Sequence, residues 1–267
     1  MEPRYSQVES IEKQSLGLYF SPRAKSFHVV ARIKDVPGAL SSVLELLRDH
    51  VNLVNSISYS LADGGAIWSG FGKSLSKAET EGKLKRLVER LPMVLECEVK
   101  GSDHGLLIDS FHSGLEVAPD RPAVVFPLVG VSGIYDHLAR ILGSGGETIL
   151  FEEGSALGKS SGQYLNAMLG RGRLDWKFKA LMGTYRTIGW GSASLDVEKS
   201  RTRYRVRVSN CMECAGMGKD RKGCNLLRGC LSSAVSTLSG SKFECEETKC
   251  RFRGDSFCEF LLSRQEA

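Results

Sequence analysis

The sequence predicts a two-domain chain of mixed class, α/β (α+β), and three observations lead there. Its 267 residues suit two domains at roughly 100–200 residues each. Residues 26–101 alternate strand and helix patterns in the order βαββαβ, and a second mixed stretch runs from 105 to 263. Seven of the eight cysteines fall between Cys211 and Cys258, setting the second stretch apart chemically. Hydrophobic residues at 42% and charged residues at 25% exclude a disordered chain, a collagen repeat and a heptad rod. The longest run without charge, Pro122–Tyr135, is too short for a bilayer helix of about 20 residues. The opening MEPRYSQVESIEKQ has no apolar signal core, so a cytoplasmic protein is expected. A net charge of +5 neither demands nor excludes a nucleic-acid partner.

Residues 1–25 lack periodicity and read as an arm. Ser26–Lys34 reads as a strand. A helix with Leu40, Val43, Leu44 and Leu47 on one stripe follows, with Pro37 expected at its first position. Val51–Ser60 and Ala66–Ser74 form strands about Asp63-Gly64-Gly65. A helix over Lys77–Leu91 and a strand at Val94–Lys100 complete a ferredoxin-like unit. This stretch resembles the ACT domain, a regulatory module that often binds amino acids. The likeness rests on Asp35-Val36-Pro37-Gly38-Ala39-Leu40, of the form D-x-P-G-x-L, and on Val51-Asn52-Leu53. The resemblance implies homodimerisation and a candidate amino-acid site at Asp35, Pro37, Gly38, Ala39 and Asn52. There Gly38 lets a ligand near the backbone, and free N–H groups hold a carboxylate. The alternative is a helix-end device at Asp35 and a packing glycine in a unit that only dimerises.

The second domain offers strands at Leu106–Asp109 and Ala123–Leu128, a helix at Ile134–Leu142 ended by Gly143-Ser144-Gly145-Gly146, and a strand at Thr148–Phe151. Helices over Ser160–Leu169 and Leu174–Thr187 precede a hairpin of Trp190–Glu198 and Thr202–Ser209 around Lys199-Ser200. The last helix is Cys224–Leu238, and Phe243–Phe252 and Phe257–Leu262 pair about Gly254.

Four residues carry the strongest chemical signal: Cys224, Glu247, Cys250 and Cys258. In a reducing compartment such clustering points to metal or redox chemistry rather than a disulfide scaffold. Glu247 and Cys250 lie three apart, so a bulge or turn is needed to aim both at one ion. Cys250 and Cys258 are equidistant from Gly254 and so pair across the hairpin. Zn–S bonds near 2.3 Å put tetrahedral sulfurs roughly 3.8 Å apart, within reach of such a pair. Cys224 opens a helix, whose positive end favours the thiolate. Three thiolates and a carboxylate fill four positions, a structural rather than catalytic site.

Residues from about 105 to 263 resemble the 4-vinyl-reductase (4VR) domain, predicted to bind small hydrocarbons. Its C-terminal pattern E-x-K-C-x-x-x-G-D-x-x-C-E-F stands here as Glu247-Thr248-Lys249-Cys250, Gly254-Asp255 and Cys258-Glu259-Phe260. The resemblance implies a mixed α/β fold of the NO-signalling/Golgi-transport ligand-binding type, related to TRAPP subunits. It also implies zinc on Cys224, Glu247, Cys250 and Cys258, as in aromatic-responsive sensor domains, against the alternative of reduced buried thiols. In that family the middle region lines the ligand cavity. Tyr164, Trp176, Phe178, Tyr185 and Trp190 are therefore a candidate apolar pocket or ordinary core.

Cys211 and Cys214 are extra to the four. They read as a redox pair, a second metal knuckle, exchange ligands, or two small loop residues. Cys230 falls on an apolar helix stripe. Gly154–Ser160 imitates a phosphate loop but has three residues between its glycines where four are required. Arg201, Arg203, Arg205 and Arg207 share a strand face, either solvated or an anion patch, and no pattern reads DNA bases. No local motif supports an enzyme. The resulting expectation is a ligand-responsive regulatory protein acting through a downstream protein partner. Tetrapyrrole vinyl reduction and an assembly or tethering role are the alternatives.

Overall fold

The computed structural model describes residues 17–22, 24–118, 120–197, 202–215 and 222–265. It divides into two compact units, Met1–Leu115 and Glu116–Ala267.

The N-terminal unit holds β1 (Leu18–Phe20), β2 (Ser26–Lys34), α1 (Ala39–Leu47), β3 (Val51–Ser60), β4 (Gly65–Ser74), α2 (Glu81–Glu89), β5 (Val94–Ser102) and β6 (Leu106–Ile108). The main sheet has the order β3-β4-β2-β5 and is antiparallel throughout, the ferredoxin-like arrangement anticipated from the element order. One face of β2 buries Phe27, Val29, Ala31 and Ile33 against Ala39, Val43 and Leu47 of α1 and Leu84 and Val88 of α2, while Ser26 and His28 are buried on the other.

Three expectations change here. The second helix begins at Glu81, not Lys77, because the Thr80 hydroxyl accepts the Lys83 N–H at 3.2 Å and caps it there. Pro37 precedes the helix rather than opening it: Gly38 is the N-cap, at φ 88°, a conformation glycine adopts without strain. Finally, part of the arm is ordered. β1 pairs with β6 in the register Leu18↔Ile108, Tyr19↔Leu107, Phe20↔Leu106, burying Tyr19 and Leu107 with Phe71. A three-residue strand carries too little alternation to be seen in sequence. The partner strand lies in the stretch assigned to the second domain, so the first unit extends past residue 105.

The C-terminal unit contains a short pair, β7 (Leu115–Ala118) and β8 (Arg121–Ala123), then α3 (Leu128–Leu142), α4 (Ser144–Leu169), α5 (Leu174–Thr187), β9 (Ser192–Val197), β10 (Arg203–Ser209), α6 (Asn225–Ser239), β11 (Phe243–Lys249) and β12 (Cys258–Arg264). Its four-stranded antiparallel sheet has the order β11-β12-β10-β9. On β10, Tyr204, Val206 and Val208 face the core while Arg203, Arg205 and Arg207 are outside. Arg201 and the Lys199-Ser200 turn lie outside the described residues. On α6 the expected stripe of Leu227, Cys230, Leu231, Ala234, Val235 and Leu238 is buried.

Two expected strands are absent. Of the first, expected over Ala123–Leu128, only Ala123 is in a strand, as the last residue of β8; Val124, Val125 and Phe126 are exposed, and Pro127 caps α3. Pro127 removes a ladder donor from that run. Thr148–Phe151 is helical, inside α4. The cause is tertiary: Gly154 and Gly158 face α6 so closely that a Cβ on either would strike the carbonyl oxygen of Leu226 or Cys230, and one on Gly162 would crowd Thr237. Glycines every four residues line one helical face and let two backbones meet. The segment resembling a phosphate loop is this packing seam. Gly143 alone separates α3 from α4, at φ 52° and ψ −127°. Among the described residues no helix is long and apolar enough to cross a membrane.

A buried thiol cluster as the candidate metal centre

Five cysteines from four parts of the C-terminal unit converge. Cys224 is the N-cap of α6, Cys250 follows β11, Cys258 opens β12, and Cys211 and Cys214 flank the start of a 3-10 turn, Met212–Ala215. The Cys214 Sγ lies 3.2 Å from Cys224, 3.4 Å from Cys258 and 3.8 Å from Cys250. Cys224 is 3.8 Å from Cys250, 3.7 Å from Cys258 and 3.6 Å from Cys211. All are free thiols; Cys211, Cys224, Cys250 and Cys258 are buried and Cys214 is half-buried.

Local structure aims each group. The register of β11 against β12 slips between Glu247 and Lys249, the irregularity that the Glu247–Cys250 spacing required. Glu247 Oε2 accepts the Cys224 backbone N–H at 3.1 Å. Asp255 Oδ2 accepts the Cys250 N–H at 2.8 Å and folds the turn that returns to Cys258. Glu213, fully buried between Cys211 and Cys214 in sequence, accepts the N–H groups of Leu226 at 3.3 Å and Leu227 at 2.6 Å. It thus satisfies two orphan donors in the first turn of α6. Sequence reading missed Glu213, because a capping partner twelve residues before the helix start leaves no local signature.

Burial pushes the Glu247 carboxyl up, and its Oε1 is buried without a hydrogen-bond partner. Within the thiol group, S–H donation from its neighbours holds Cys258 low, while the donors Cys214 and Cys224 are held high. The cluster alone therefore favours one thiolate, and a dication would let more ionise. Two donor sets lie within 4.8 Å in all directions: Cys211, Cys214, Cys224 and Cys258, and Cys224, Glu247, Cys250 and Cys258. Sulfur spacings of 3.2–3.8 Å fit a zinc-sized tetrahedral site, whose edges are roughly 3.8 Å, so these residues suit the ion.

The other candidate residues are placed as follows. Of the five aromatics, Phe178 and Tyr185 are buried and Trp190 stacks on Tyr185 with ring centroids 5.0 Å apart. Trp176 is 53% exposed, and Tyr164 lies under the Arg121 guanidinium, so the five do not meet around one space. Tyr185 Oη shares a hydrogen bond with the buried Cys230 thiol at 2.8 Å. In the N-terminal unit Asp35, Pro37 and Gly38 are exposed, Ala39 is buried and Asn52 is exposed on β3. Open space faces Gly38.

The family model of the V4R domain matches residues 204–264. No curated protein matches the chain. Among solved structures, the phenol-responsive sensory domain of the transcription activator PoxR, with phenol, is similar at TM-score 0.46 and 13% identity, covering 71% of this chain and 92% of that one. A trafficking protein particle complex subunit 3 from Naegleria fowleri, covalently bound to palmitic acid, is similar at TM-score 0.40 and 16% identity, covering 52% and 95%. A vinyl-4-reductase family protein from Methanocaldococcus jannaschii is similar at TM-score 0.33 and 11% identity, covering 54% and 85%. The residues matched by the V4R model carry β10, α6, β11, β12 and the converging thiols.

Proposed function

We propose that the chain is a ligand-responsive regulatory protein of the cytoplasm, in which the C-terminal unit binds a small apolar or aromatic molecule. Zinc held at the thiol cluster braces the segment formed by α6, β11 and β12. The observation that carries this reading is the convergence of Cys224, Glu247, Cys250 and Cys258 inside a V4R domain. The resemblance to the 4VR family supplies the ligand class, and the buried Phe178 and Tyr185 with the half-buried Trp190 provide the apolar surface for it.

Zinc held by these residues would supply a cross-link between α6 and the β11–β12 hairpin. The protein's own residues do the rest: Glu247 fixes the Cys224 amide, Asp255 fixes Cys250, and Glu213 holds the start of α6. The N-terminal unit is read as ACT-like. It serves a homodimer and takes an amino acid at Gly38, where the open backbone of a left-handed turn supports the idea. Cys211 and Cys214 belong to the cluster, so a redox role for them would act on the metal directly. Output passes to a downstream protein partner.

Native mass spectrometry of freshly purified full-length protein is expected to show one zinc per chain, a dimer and a small apolar adduct. Titration with phenol is expected to quench Trp190 emission. A folded, metal-free protein indifferent to aromatic ligands would defeat the proposal.

A further inference from the structure

The two donor sets share Cys224 and Cys258, and the distances from Cys214 to Cys224, Cys250 and Cys258 point to a third set drawn from both. We infer that the ion is held by four thiolates, Cys214, Cys224, Cys250 and Cys258, and that Glu247 stands outside its coordination shell as the group that positions Cys224. This rests on the metal reading above and changes its ligand set.

Geometry is the first support. Cys214 is 3.2, 3.4 and 3.8 Å from the sulfurs of Cys224, Cys258 and Cys250, and Cys224 is 3.8 and 3.7 Å from the last two. Four sulfurs about a zinc ion require edges of roughly 3.8 Å, so small adjustments complete the tetrahedron. No side chain has to turn or cross the core to reach it.

The second support is what Glu247 already does. Its Oε2 takes the Cys224 N–H at 3.1 Å, and the Arg253 guanidinium lies 4.0 Å from the same oxygen. A carboxylate bonded to the amide of a ligating residue and facing a cation is the pattern of an outer-shell group. Its Oε1 competes for a place in the shell, and so does the Cys211 sulfur, 3.6 Å from Cys224 and grouped with Cys214, Cys224 and Cys258. A soft thiolate at sulfur-contact distance from three other thiolates suits zinc at least as well as that hard oxygen.

The third support is that Cys214 does not hang on a free loop. Glu213 fixes the turn to the Leu226 and Leu227 amides, and Met212 packs with Tyr135 of α3 and Leu150 of α4, its N–H bonded to the Trp190 carbonyl at 3.1 Å. Each residue of Cys211-Met212-Glu213-Cys214 therefore has a distinct duty: Cys211 lies against the Cys224 sulfur, Met212 reaches the helices, Glu213 caps α6, and Cys214 meets the ion. Ligation by Cys214 thus adds a link from the coordination shell to α3 through Met212.

X-ray absorption at the zinc edge of the purified full-length protein tests this. Four sulfurs at about 2.3 Å are expected, with no oxygen near 2.0–2.2 Å. Cys214→Ser and Cys250→Ser are each expected to lower the sulfur count from four to three, while Cys211→Ser and Glu247→Gln leave it at four. A wild-type shell of three sulfurs and one oxygen overturns the inference and leaves the metal reading standing; so does a sulfur count unchanged in Cys214→Ser. Absence of bound zinc under metal-replete purification overturns both. The wild-type spectrum decides alone if the Cys214 variant fails to fold.

Discussion

The two units solve the problem of a stable interior with different materials. In the N-terminal unit, Phe27, Val29, Ala31, Val43, Leu47, Leu84 and Val88 fill most of the space between sheet and helices with hydrocarbon, beside the Cys97 thiol and the Trp68 indole. In the C-terminal unit the interior includes a cluster of five cysteines, a buried Glu213 carboxylate, and a helix pair that meets at bare backbone. Hydrocarbon cores are stabilised roughly in proportion to area and accept volume-conserving exchange. Interiors of polar and ligating groups are favourable only when every partner is present. The first unit is therefore expected to be robust to chemical conditions, and the second conditional on them.

Metal removal gives the largest contrast. Structural zinc contributes on the order of 10 kcal/mol in small metallodomains, comparable to the whole stability margin of a domain. Treatment with a chelator is expected to abolish amide protection across 222–264 while β2 and β4 exchange as before. Protection retained in both units would dissolve the contrast.

Next in size is Gly158→Ala. The added methyl meets the Cys230 carbonyl, so α4 and α6 must separate. A loss of about 1–3 kcal/mol is expected for the C-terminal unit, as for other overpacked interiors. Differential scanning calorimetry should show only the transition that Trp190 fluorescence reports moving downward; an unchanged scan would mean the seam is looser than described.

The smallest effect belongs to the N-terminal unit and to pH. Burial lowers His28 from 6.5 to about 4, outweighing Asp109, which raises it, while Nε2 bonds the Ser69 hydroxyl at 2.8 Å. The unfolded chain then binds more protons than the folded one between these values. Stability is full above about pH 6.5 and declines as pH falls toward 4. Urea midpoints of the N-terminal unit measured across that window should fall in wild type and less steeply in His28→Gln. Parallel profiles would remove His28 from the account.

Where local pattern governs, the sequence was readable. Ser26–Lys34, Val51–Ser60 and Leu174–Thr187 occupy the spans their periodicity indicates, because alternation and apolar stripes act within a single element. Thr148–Phe151 misled because its β-branched residues favour a strand locally, while the glycines that decide the matter act on α6, far along the chain. In the cluster, Cys224, Glu247, Cys250 and Cys258 were legible through spacing and hairpin symmetry. The approach of Cys214 to all three sulfurs was not, since it depends on how Glu213 docks against another helix. The aromatics show the same limit: residues two apart on α5, Trp176 and Phe178, end up outside and inside, and composition does not rank them.

Gly143 both ends α3 and begins α4, with backbone angles that a side chain would resist. A joint one residue long has no slack, so the bearing of α3 is dictated by a pair of torsions rather than by a tether. The outward-facing Val129, Ile134 and Ile141 are consequently presented at one fixed orientation, like a blade set in its handle.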